Sequence, residues 1–95
     1  MFKVELEFDK TLPKETVNSM CEQVDEIFAE EGIPCAESSF GKRKYEDIVD
    51  KVTLGNVGIL LHRIKQNTNV SKALSKAIGI FENETADLLT DYIKG

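Results

Sequence analysis

KVTLGNVGILLHRI, residues 51–64, carries two competing periods. A helix here would continue the spacing of Tyr45, Ile48, Val49 and Val52, which recur at helical intervals. Against it stand Thr53, Gly55, Asn56, Val57 and Gly58, a poor helical run whose two glycines cost about 1 kcal/mol each relative to alanine. In a hairpin, Gly55-Asn56 forms a two-residue loop, Leu54 faces Val57 and Val52 faces Ile59. Those pairs and Leu61 then share one side of a sheet, so pattern and turn chemistry agree. The hairpin is the expectation. Its second strand places Val57, Ile59 and Leu61 on one face and Leu60, His62 and Ile64 on the other, apolar on both sides like a covered central strand.

Upstream, Phe2, Val4, Leu6 and Phe8 alternate with Lys3, Glu5, Glu7 and Asp9, a strand with one buried face. TLPKE follows, with Thr11 as a cap and Pro13 in the first helical turn. Val17, Met20, Cys21, Val24, Ile27 and Phe28 then form one helical stripe, which Gly32 and Ile33-Pro34 end. CAESSF, residues 35–40, reads as a short returning strand, and GKRK as a turn with a basic run. Downstream, NTN starts a helix with a stripe of Val70, Ala73, Leu74, Ala77, Ile78 and Phe81. Asn83 caps a last helix that buries Leu88, Leu89, Tyr92 and Ile93. The sum is a single α+β domain over residues 1–95. A strand–helix–strand unit is followed by an antiparallel hairpin or meander and one or two C-terminal helices packed on the sheet.

Ninety-five residues support one modest core, and 31% charged with 41% hydrophobic residues is a globular balance. No apolar run approaches the roughly 20 residues of a membrane span, and the acidic, alternating N-terminus is unlike a signal peptide. A cytoplasmic location is expected. Cys21 and Cys35 sit outside any CxxC pattern, which suits two buried, unpaired thiols. Three Cys and His residues in all are too few for a structural zinc site, so no metal is expected.

Catalysis finds little support. His62 is the only histidine, no Ser or Cys motif accompanies it, and GxGxxG, GxxxxGK[ST] and HExxH are all absent. Neither an enzyme nor a cofactor is expected. Charge is the more telling feature. Residues 1–40 hold ten Asp/Glu against three Lys, residues 41–80 three acids against eight Lys/Arg, and residues 81–95 four acids against one Lys. One helix face gathers Glu22, Asp25, Glu26, Glu30 and Glu31, and a one-sign field of that kind steers a basic partner. The expected function is a small acidic protein that occludes a basic protein partner, of the inhibitor, immunity-protein or antitoxin type, for instance against a nuclease-like toxin.

The alternative is a small nucleic-acid-binding or regulatory protein using Lys42, Arg43 and Lys44, with Leu60 and His62 of the hairpin. A helix-turn-helix is a poor version of it. Its second helix would carry Glu82, Glu84, Asp87 and Asp91 towards phosphates.

Overall fold

Phe2–Phe8 is the central strand, β1, of a five-stranded antiparallel sheet in a computed structural model describing residues 2–48 and 50–94, Leu54 by its backbone alone. Its alternation is realised in full: Phe2, Val4, Leu6 and Phe8 are buried and the residues between them half-buried. Helix α1 (Lys14–Glu30) lays Val17, Met20, Cys21, Val24, Ile27 and Phe28 on that face. Thr11 does not cap it. Pro13 takes the N-cap position, and Thr11 instead donates through its backbone N–H and its hydroxyl to the Asp9 carboxylate. At the other end Gly32 adopts φ +77°, the left-handed conformation that lets the chain leave a helix without a β-carbon clash.

β2 (Cys35–Ser39) and β3 (Lys42–Glu46) make an antiparallel hairpin about Phe40 and Gly41, the glycine at φ +71°. A hairpin therefore lies in residues 35–46 and not in 51–64. The latter stretch folds as α2 (Leu54–Gln66). Gly55-Asn56 is its first turn, because Thr53 and Asn56 close a capping box. The Asn56 N–H donates to Thr53 Oγ1 at 3.2 Å, and the Thr53 N–H donates to Asn56 Oδ1 at 3.1 Å. The rival helical continuation from Tyr45 fails as well, since Tyr45 lies in β3 and Ile48 is exposed. Val49 lies outside the described residues, as does the side chain of Leu54 in the expected Leu54–Val57 pair.

α3 (Thr68–Ala73) runs directly into β4 (Leu74–Phe81), so the stripe read as one helix from Val70 to Phe81 divides at Leu74. β4 fills the second edge of β1, with Phe2 opposite Phe81 and Leu6 opposite Ala77. Asn83 caps no helix. It sits in the two-residue turn from β4 to β5 (Glu84–Asp87), beside Glu82 at φ +55°. A π-helical turn, Leu89–Ile93, ends the described chain, burying Ile93 and leaving Tyr92 exposed.

The strand order is β2-β3-β1-β4-β5. Strand, helix, two strands, helices and strand with the spatial order 2-3-1-4 is the split βαβ plan of ferredoxin-like folds, to which β5 adds an edge. One face of the sheet is covered by helices, with Leu60, Leu61 and Ile64 of α2 completing the core. Among the described residues no helix is long and apolar enough to cross a membrane. A plan that hosts many functions leaves function to be argued from its surfaces.

Candidate functional site

Alternation in β1 sends Lys3, Glu5 and Glu7 to the uncovered face, and the antiparallel register sets Glu46, Lys44 and Lys42 opposite them. Opposite charges therefore meet rung by rung. Lys42 Nζ is 3.2 Å from Glu7, Lys44 Nζ 3.6 Å from both Glu5 and Glu37, Lys3 Nζ 3.7 Å from Glu46, and Lys76 Nζ 3.8 Å from Glu7. The hydrogen bond from Lys42 is the main reason the Glu7 carboxyl stays below its usual range. Glu37 and Glu5 in turn raise the Lys44 ammonium. Each exposed pair contributes little to stability, yet together they discharge the face.

Arg43 points to the other side of β3 and reaches α1. Its Nε donates to both Asp25 oxygens, at 3.1 and 3.3 Å, while Nη1 donates to the carbonyls of Ser39 and Lys42. The Tyr45 hydroxyl donates to the same carboxylate at 2.5 Å, and the Tyr45 ring stacks on Phe28 with centroids 3.7 Å apart. Burial first, and then the Asp25 carboxylate, push that hydroxyl well above the ordinary phenol range. The basic run expected to offer Lys42, Arg43 and Lys44 to a partner is thus matched by acids of β1, β2 and α1.

Glu22, Asp25, Glu26 and Glu30 of α1, with Glu31 at its C-cap, separate in the same way. With 3.6 residues per turn, Glu22 and Glu26 point directly away from the buried stripe, and Asp25 and Glu30 fall on opposite flanks. Asp25 serves Arg43 and Tyr45 on one flank. On the other, Arg63 of α2 donates to Glu30 at 2.8 Å and to Glu31 at 3.2 Å, and Asn67 donates to Gln23 at 2.7 Å. Glu22 and Glu26 are exposed, and their side chains make no ion pair or hydrogen bond among the described residues. Glu15 extends their line towards the helix N-terminus and is also exposed.

The remaining expectations divide. Leu60 is fully buried and offers no binding surface. His62 is exposed on α2 rather than held in a central strand, because the helix turns Leu60, Leu61 and Ile64 inward and His62 outward. Of the thiols, Cys21 is buried and Cys35 exposed, contrary to the expected burial of both, and each is free. Burial raises both thiols above their ordinary range, which disfavours the reactive thiolate.

The sequence reading missed a cavity of about 460 Å³ between α2 and the β4–β5 hairpin, lined by Val57, Leu61, His62, Phe81, Leu88 and Tyr92 among others. The period that sets its α2 wall was present in the sequence, since Val57, Leu60, Leu61 and Ile64 follow the i, i+3, i+4, i+7 template. Asp47 was missed as well. It is the buried charged residue among those described, its Oδ2 accepts from the Val52 N–H at 2.7 Å, and its Oδ1 has no partner there. No family model, curated protein or solved structure matches the chain.

Proposed function

We propose that this protein is a binding module that engages a basic protein through the outer stripe of α1 and acts by covering that partner's positive surface, as inhibitors, immunity proteins and antitoxins do. The observation that carries the reading is the contrast between two charged surfaces. On the open sheet face, Lys3, Lys42, Lys44 and Lys76 meet Glu5, Glu7, Glu37 and Glu46. On α1, Glu22 and Glu26 meet nothing among the described residues. A chain of net charge −5 thus directs unmatched negative potential along one helix, a field that raises the association rate of a cationic surface. The same reading takes the protein to act by binding rather than by catalysis.

The test uses the Glu22→Gln, Glu26→Gln double variant. Asp25 is left intact because Arg43 and Tyr45 depend on it. Capture from the native cell at low salt should retain a basic protein on the wild type. With that partner in hand, stopped-flow association should be about tenfold slower for the variant, with its salt dependence reduced and dissociation little changed. Equal association rates would remove α1 from the interface. Retention of RNA or DNA in place of a protein would overturn the proposal in favour of nucleic-acid binding.

A further inference from the structure

The cavity between α2 and the β4–β5 hairpin shares no residue with the α1 stripe and has the features of a small-molecule site. Its volume of about 460 Å³ lies within the span of about 300–1,000 Å³ usual for such sites. Phe2, Leu61 and Leu88, all buried, provide apolar lining, and Phe81 and Tyr92 add two exposed rings. Two stretches of wall carry no side chain. At Gly79 there is no room for one, since a β-carbon would stand 2.9 Å from Leu88 Cδ1. At Gly58 there is room, with nothing among the described residues within 4 Å of the position a β-carbon would take. A glycine inside a helix is destabilising relative to alanine, and among the described residues no neighbour uses the space that Gly58 leaves. The helix backbone is simply open to the cavity.

The polar groups decide the kind of ligand. His62, Glu84 and Tyr92 line the cavity, and their side chains make no hydrogen bond or ion pair among the described residues. Lys65 lines it too but is not free. The carboxylate of the lining, and one without a partner among the described residues, is Glu84, within a chain of net charge −5. Aromatic faces also attract cations, and Phe2, Phe81 and Tyr92 supply three rings, the first two with centroids 6.3 Å apart. We infer that this cavity binds a small organic cation, an ammonium carried on an apolar body of about the size of one or two rings, with the ammonium drawn to Glu84. A carboxylate on the same body would meet like charge there.

Naphthylethylamine and naphthylpropionate make a matched pair of probes for calorimetry and for two-dimensional NMR on the full chain. The amine should bind saturably at one site, shifting the amide resonances of Gly58, Phe81 and Glu84, and at least about tenfold more tightly than the acid. Glu84→Gln should weaken the amine by about tenfold and leave the acid unchanged or improved. Gly58→Leu, which fills open space on a helix, should abolish amine binding while the circular dichroism stays native. No saturable binding of the amine, binding of the acid as tight as the amine, or indifference to Glu84→Gln would each overturn the inference. So would amine binding that survives Gly58→Leu in a folded protein, since the site would then lie elsewhere. Glu22→Gln with Glu26→Gln should leave amine binding unchanged, which keeps this outcome separate from the fate of the α1 interface.

Discussion

Gly55, Gly58 and Gly79 respond to one added methyl group in different ways, and the difference follows from their surroundings. Gly55 and Gly58 lie in α2, neither at positive φ. Among the described residues the nearest atom to a new β-carbon is Thr53 Oγ1 at 3.6 Å for Gly55, and there is none within 4 Å for Gly58. Alanine at either site should therefore stabilise the fold by about 0.5–1 kcal/mol, through helix propensity and a less flexible unfolded chain. A hairpin turn at Gly55 would have given the opposite sign. Gly79 faces Leu88, whose Cδ1, Cγ and Cδ2 stand 2.9, 3.2 and 3.3 Å from the added carbon. Leu88 is buried, so it has little freedom to retreat. Gly79→Ala should cost about 1–3 kcal/mol, the usual range for overpacking. Urea denaturation of the three variants reads both signs. Destabilisation by Gly58→Ala would mean that its apparent open space is not open in solution.

Among the elements, α1 is held at both flanks and free along its outer line, and this predicts how its acids differ. Asp25→Ala should destabilise by about 1–3 kcal/mol, because the buried Tyr45 hydroxyl loses its acceptor and the Arg43 Nε–H loses its own. Glu22→Gln and Glu26→Gln should each move stability by no more than about 0.5 kcal/mol. Thermal melts of the single variants suffice. An Asp25→Ala protein as stable as wild type would show that the contact across 18 residues adds nothing to the fold.

The same helix shows what the sequence could disclose. Its buried stripe and the glycine that ends it are local signals, and so is the position of Glu22 and Glu26 opposite that stripe. The partners of Asp25, Glu30 and Glu31 are not local, being 18 to 33 residues distant. For α2 two local signals disagreed. Gly55-Asn56 is a hairpin cue, while Thr53 to Asn56 is a capping box and Val57 to Ile64 a helical stripe. The second pair of signals prevails because it buries Leu60, Leu61 and Ile64 together. β4 was hidden more deeply, since Val70 to Phe81 fits a helical period throughout. Only the open edge of β1, a tertiary fact, draws Leu74–Phe81 into a strand. The cavity inherits that difficulty, for its walls come from residues as far apart as Phe2 and Tyr92.

Across the whole molecule, acid should undo what the matched charges hold together. Glu7 lies below its ordinary value of 4.5, first through the Lys42 hydrogen bond. Asp9 and Asp87 lie below 3.8, through hydrogen bonds from Thr11 and Thr90. Each folded-state value is depressed, so between it and the ordinary value the unfolded chain binds more protons than the folded one. Stability from these groups is then fully present above about pH 5 and is lost as pH falls through the folded values. As the carboxylates protonate, the twelve Lys and Arg residues keep their charge with fewer acids to balance it, and repulsion adds to the loss. Urea midpoints should be level between about pH 6 and 8 and should fall steadily below about pH 4.5. Lys42→Met removes the donor that chiefly lowers Glu7, and it should flatten the part of that descent due to Glu7 while leaving the parts due to Asp9 and Asp87. A Lys42→Met profile parallel to wild type down to about pH 3 would separate Glu7 from acid sensitivity, and the ladder on the open face would then balance charge without adding to stability.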